Sequence, residues 1–441
     1  MKLAEQLKTV DPIAVYGRVA QAVGLVIEGF VPISSIGDVC EIRSGDEGPG
    51  ITAEVVGFRG QRALLMPLGE MRGIGPGSRL VPHGKPASIP IGEGLLGRVL
   101  DGLGRPLDDR GPLGPGQPYS LYTEPINPLQ RARITEPLDL GVRAINSLLT
   151  CGRGQKVGVF AGSGVGKSVL LGMMSRYTEA DVNVIALIGE RGREVKEFLE
   201  KDLTPAGLRR SIVIVATSDQ PPLVRIRGAF LATAIGEFFR DRGRKVLLLM
   251  DSLTRLAQAQ REVGLAIGEP PTTKGYPPSV FAVLPRILER VGAAGRGTLT
   301  GLYTVLVEGD DLNDPIADAA RSLLDGHIVL SRDLASQGHY PAIDVLNSVS
   351  RVMPDIVPEP QQRDARHLVE MLAAYKKAED LINLGAYKAG ASPGIDRAIR
   401  MRDPILRFLR QDVEERVSLP QSVAALSALI KTALAEGEKA A

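Results

Sequence analysis

The sequence predicts an α/β protein in three parts: an N-terminal antiparallel β-barrel, a parallel sheet covered by helices, and a helical C-terminal end. Three observations predict it. Short apolar runs broken by Gly, Pro and Asp turns fill residues 15 to 90. From about residue 150, near-continuous Val/Ile/Leu runs alternate with helix-length segments. After about residue 360 only helical periodicity remains. A chain of 441 residues is also too long for one typical domain.

Taken in order, "MKLAEQLKTVDP" opens the chain with Leu3, Leu7 and Val10 on one face of a short helix. Such a helix either packs on its own domain or docks on a partner, because alone it is marginal. The runs "GRVAQAV", "GLVIEGF", "DVCEI", "TAEVVGF" and "RALLMPL" read as barrel strands. Asp101 to Pro118, "DGLGRPLDDRGPLGPGQP", is so rich in Gly and Pro that it reads as a surface connection. Then "QKVGVFA" leads to "KSVLLGMMSRY", "VNVIALIGE" to "REVKEFLEKDL", "SIVIVATS" to a long helical segment, and "KVLLLMDS" to "LTRLAQAQREVG". "ARHLVEMLAAYKKAEDLINLGAY" and "SVAALSALIKTALAEGEKA" are the helices of the final part.

Composition narrows the function. Apolar residues are 44% and charged residues 24%, as in a globular protein with a sizeable core. A net charge of +2 with no Trp and 4% aromatics gives no ground for a nucleic-acid partner or a membrane surface. Cys40 and Cys151 lack metal-ligand spacing and read as reduced thiols of a cytosolic protein. His83, His327, His339 and His367 show no metal spacing either, and read as structural. No signal-peptide core and no apolar run of about 18 residues is present, so a cytoplasmic protein is expected.

The chemistry concentrates in "VGVFAGSGVGKSVLLG", from Val157 to Gly172. Ala161, Gly162, Ser163, Gly164, Val165, Gly166, Lys167, Ser168 and Val169 fit a phosphate-binding loop, with Ala161 where the first glycine usually stands. Glycines let backbone N–H groups turn towards phosphate oxygens, and the helix opening near Lys167 adds its positive end. Lys167 would reach the β- and γ-phosphates, and Ser168 would ligate Mg²⁺. Asp251 ends the apolar strand "KVLLLMD" and is suited to hold Mg²⁺ through water. Together these predict nucleoside triphosphate binding. Glu190 follows the next strand at the edge where open α/β sheets bind ligands. It could polarise an attacking water, with Arg191 at the γ-phosphate. Glu190 to Glu194 also read as a solvated charge run at a helix N-terminus, the reading the residues alone favour.

The chain resembles the catalytic ATPases of the rotary ATP synthase and type III secretion group over nearly its whole length. The residues that carry this are "GSGVGKS", "GERGRE", "LLLMDSLTR", "PPSVFAVLPRILERVG", "VEGDDLNDPIADAARSLLDGHIVLSR" and "YPAIDVLNSVSR". The resemblance implies that Lys167 is the phosphate lysine, Ser168 the Mg²⁺ ligand, Glu190 the water-activating carboxylate and Arg191 a γ-phosphate contact. It implies that Asp251 is the carboxylate holding Mg²⁺ through water, that Tyr340 stacks on adenine, and that Arg351 is an arginine finger reaching a neighbouring subunit's site. Non-catalytic subunits of the group carry Gln at the position of Glu190, so Glu190 marks a catalytic chain. Within the group the flagellar export branch is most similar, with injectisome ATPases close. The acidic run of ATP synthase β subunits is missing from "SPGIDRAIRMRDPILRFLRQ".

The expectation is therefore a barrel over 1–90, a RecA-like P-loop ATPase domain over 91–358 and a helical domain over 359–441. The resemblance implies a homohexamer that uses Mg²⁺ and ATP to energise export of flagellar proteins. It would be peripheral at the inner membrane. Its partners would be a regulatory stator-like protein at the N-terminus, a central stalk protein, export chaperone–cargo complexes and the membrane export gate.

Overall fold

The computed structural model describes residues 15–32, 34–44, 50–86, 88–307 and 314–438. The apolar stripe Leu3, Leu7 and Val10 lies outside them.

Six antiparallel strands close the barrel: β1 (Gly17–Val23), β2 (Val26–Phe30), β3 (Asp38–Arg43), β4 (Ile51–Arg59), β5 (Arg62–Pro67) and β6 (Arg79–Pro86), in the order β1-β2-β5-β4-β3-β6. Alternating side chains fill its interior, among them Val19, Ile27, Ile42, Val55, Leu65 and Leu80. Cys40 is one of them, and burial pushes its thiol up to about 11. The closing strand β6 lacks the apolar alternation of the others. It holds Pro82 and Pro86, tolerated where its register against β3 shifts.

The central sheet contains β7 (Val99–Asp101), β8 (Lys156–Ala161), β9 (Val182–Ile188), β10 (Ser211–Ala216), β11 (Lys245–Asp251), β12 (Gly297–Leu306), β13 (Gly326–Leu330) and β14 (Ile343–Ser350). Their order is β14-β13-β8-β12-β11-β9-β10-β7, parallel except for the edge strand β14. The continuous apolar runs follow from burial on both faces. In β9, Val184, Ala186 and Ile188 enter one core, while Ile185 and Leu187 enter the other. The first core is completed by α3 (Pro222–Asp241), α4 (Leu253–Ile267) and α5 (Pro278–Leu288). The second is completed by α1 (Lys167–Tyr177) and by the C-terminal helices α6 (Glu359–Asn383), α7 (Pro393–Leu409) and α8 (Leu419–Glu438). Between β9 and β10, α2 (Gly192–Glu197) widens into a π turn over Phe198–Leu203.

The Gly/Pro-rich stretch from Asp101 to Pro118 is more ordered than its composition predicts. It begins at the end of β7 and runs into a short strand, Gln117–Ser120, that pairs with Ser88–Ile91. Asp108 organises the turn between them. It accepts two hydrogen bonds from Arg98, each 2.8 Å, and one from the Val99 N–H at 2.9 Å. Arg98 chiefly holds the Asp108 carboxyl down to about 2. The barrel is fastened to the sheet by a buried pair, Glu54 of β4 and Arg227 of α3, 2.6 Å apart, with Tyr122 donating to the same carboxyl at 3.3 Å.

Candidate functional site

The loop predicted to cradle phosphate connects β8 to α1. Ala161 is still strand: it is buried and paired with Leu306 of β12 and Leu330 of β13. A glycine is not required there, because the turn starts one residue later. Gly164 (φ 78°) and Gly166 (φ 88°) hold the left-handed backbone that the turn needs. Val165 between them is buried and anchors the loop in the core, so only its backbone is available to a ligand. Lys167 and Ser168 open α1, whose first N–H groups have no partner inside the helix.

Three strands bring carboxylates and this lysine together. Asp251 ends β11, and its Oδ1 lies 2.5 Å from Lys167 Nζ and accepts from Thr304 Oγ of β12 at 2.7 Å. Glu190 follows β9 after Gly189, whose φ of 72° leaves the strand sharply. A Cβ on Gly189 would lie 2.7 Å from the Arg255 Cβ, so that turn admits only glycine on two counts. Glu190 Oε1 sits 3.6 Å from Lys167 Nζ and is buried without a hydrogen-bond partner. Burial, then the charge of Asp251, pushes the Glu190 carboxyl up to about 7 against the pull of Lys167. Glu194 of α2 hydrogen-bonds with Glu190, and its own carboxyl is held low by that contact first. An orphaned buried oxygen on a group that ionises near neutrality can take a proton from water.

The rest of the charge run divides. Arg191 is 80% exposed and 3.7 Å from Glu194 at the rim of the cleft, and Arg193 is similarly solvated. Tyr340 is half-exposed beside the loop; a Cβ on Gly166 would lie 3.4 Å from its ring. Arg351 is not brought to this site. It follows β14, whose last residue, Ser350, pairs with Gly326 at the start of β13, at the far end of the sheet from the loop.

The cleft gathers further cations that local patterns miss: Arg255 and Arg261 of α4, Lys274, and Arg332 after β13, together with Lys167 and Arg191. Such a lining suits a polyanion. Arg255 carried a signal, since it stands four residues after a strand-end aspartate in the first turn of the next helix. Lys274 and Arg332 are placed by loops and by the sheet order, which no short window contains. Among the described residues no group of three or more His, Cys, Asp or Glu side chains forms a metal cluster. No helix among them is long and apolar enough to cross a membrane.

Comparison with known proteins decides the family. Residues 19–84 match the β-barrel domain and residues 141–350 the nucleotide-binding domain of the ATP synthase alpha/beta family. Residues 357–428 match the C-terminal domain described for the type III secretion ATPase EscN. The chain belongs to the ATP synthase alpha/beta family. As a member of that family it is a P-loop ATPase, and its three-part architecture is the one the sequence predicts. It is 54% identical over 430 residues to the flagellum-specific ATP synthase of Bacillus subtilis, covering 97% of this chain and 98% of that one. It is 49% identical over 400 residues to a type 3 secretion system ATPase of Xanthomonas euvesicatoria, covering 91% and 90%. A solved structure of assembled EscN with its central stalk EscO, from enteropathogenic E. coli, superposes with a TM-score of 0.87 at 44% identity, covering 94% of this chain and all of that one.

Proposed function

We propose that this ATPase energises flagellar type III protein export as a cytoplasmic homohexameric ring, peripheral to a membrane gate. The observation that carries the catalytic reading is the buried Glu190 carboxylate beside Lys167 of the phosphate loop, next to Asp251. In this reading Lys167 leaves Asp251 to clamp the β- and γ-phosphates, and the loop N–H groups from Gly162 to Val169 fix the triphosphate. Glu190 orients a water molecule and takes its proton. Arg191 meets the γ-phosphate from the rim, and Tyr340 stacks on the adenine. Ser168 and Asp251 would hold Mg²⁺, which draws charge from the phosphoryl oxygens when bound. The Ser168 hydroxyl and the Asp251 carboxylate are hard oxygen donors that suit that ion.

Arg351 acts on a neighbour. Its position at the far end of the sheet leaves it unable to serve its own loop, which supports a site completed between subunits. The division at about residues 90 and 358 is supported by β7 belonging to the central sheet and by the described residues from Glu359 onward forming helices and no strand. The complex of EscN with its stalk supports a central stalk partner here. A stator-like regulator at the N-terminus, chaperone–cargo complexes and the export gate complete the set. Purification from a native lysate tests the assignment. Flagellar chaperones in the eluate support it; injectisome chaperones or a rotary shaft would replace it.

A further inference from the structure

Arg351 must hold its guanidinium across a subunit boundary, yet no hydrogen bond or ion pair ties that group to another described residue of its own chain. What is fixed is the backbone beneath it, and one side chain fixes it from two sides. Gln155 stands immediately before β8 and is fully buried. Its Oε1 accepts from the Gly152 N–H at 2.8 Å, which orients the amide. Its Nε2 then donates to the Asp325 carbonyl at 3.2 Å and to Ser350 Oγ at 3.4 Å. That same Asp325 carbonyl accepts the Arg351 N–H at 3.1 Å. The Ser350 hydroxyl donates to the Thr150 carbonyl at 2.9 Å and accepts the Met353 N–H at 3.3 Å. Gly326 leaves room for this clasp: a Cβ there would lie 3.3 Å from Gln155 Nε2 and 2.6 Å from the Val349 carbonyl.

We propose that Gln155 is the positioning residue for Arg351, clasping the two residues at its root so that the finger is aimed at the neighbouring site. The proposal rests on the reading of Arg351 as a shared-site residue. It also gives β8 two ends with two duties. At its C-terminal end it carries the chain's own phosphate loop; about 20 Å away, six residue rises from Ala161, Gln155 at its entry aims the finger given to the neighbour. A catalytic group displaced by about 1 Å can lose about 100-fold in rate.

The test uses the full-length protein. Gln155→Ala is expected to lower kcat by about 10- to 100-fold with KM and the affinity for a fluorescent ATP analogue unchanged. Ser350→Ala, which removes one hydroxyl and leaves the buried amide in place, should give a smaller loss of the same kind. Neither change should lower kcat further in an Arg351→Ala background. The deciding measurement is mixing. Gln155→Ala protein combined with Lys167→Ala protein should regain activity, because an intact loop then faces a correctly aimed finger. Arg351→Ala combined with Lys167→Ala is the reference. Recovery in the reference but not with Gln155→Ala or Ser350→Ala would place their effect on their own loop and overturn the proposal. Failure of the reference too, in rings proved to be mixed, would remove the shared site itself.

Discussion

Replacing Glu190 by Gln separates what this residue does for the reaction from what it costs the fold. The amide is nearly isosteric but accepts no proton, so ATP affinity should persist while turnover falls by about 10²- to 10⁴-fold. The environment of Glu190 sets two further expectations. With its carboxyl at about 7, wild-type kcat/KM should drop about 10-fold from pH 8 to pH 6 as the base is protonated, a limb that Glu190→Gln should lack. The second concerns stability. The folded chain keeps this proton where the unfolded chain has lost it, between 4.5 and about 7. Stability therefore falls as pH rises through that window, and the full cost stands above it. The shift corresponds to about 3 kcal/mol at 1.36 kcal/mol per unit. Glu190→Gln should accordingly melt higher than wild type at pH 8, with the difference closing towards pH 4.5. Phosphate release across pH and thermal melting at both ends make the assay. Wild-type turnover in the variant, or residual activity with the acid limb intact, would refute the assignment of the base.

Arg351→Ala should be nearly inactive, since a finger in trans is worth about 10³ to 10⁵ in turnover. For the same reason wild-type specific activity should rise with protein concentration; a flat profile through the ring dissociation range counts against it. Arg227→Ala strands Glu54 in the barrel–sheet interface and should cost about 3 kcal/mol in denaturant unfolding, less as pH falls and Glu54 takes up a proton. An unchanged midpoint at neutral pH would mean the pair does not anchor the barrel. Deleting residues 2 to 10 should leave melting and basal ATPase activity intact while weakening pull-down of the regulatory partner; a large drop in melting temperature with unchanged binding would return Leu3, Leu7 and Val10 to a core role.

The sequence carries what is local and loses what is assembled. Gly164, Gly166 and Lys167 are readable because a tight turn, a phosphate cradle and a helix start lie within one short window. The run from Glu190 to Glu194 was ambiguous for a physical reason: both readings are partly true. Gly189 turns Glu190 inward against Lys167 and Asp251, while Arg191 and Arg193 remain in water, so a single charged stretch serves both the site and the surface. Thr304, which holds Asp251, comes from a strand more than fifty residues later and is placed only by the pairing of β11 with β12. Gln155 is harder still. Nothing in "GRGQKVG" distinguishes a glutamine that caps a turn from one that governs Arg351, nearly two hundred residues on. The distinction exists only once β13 lies beside β8 and β14 beside β13, so that Asp325 and Ser350 arrive on one amide. The sheet order that makes the nucleotide site also makes the finger, and β8 is the strand common to both.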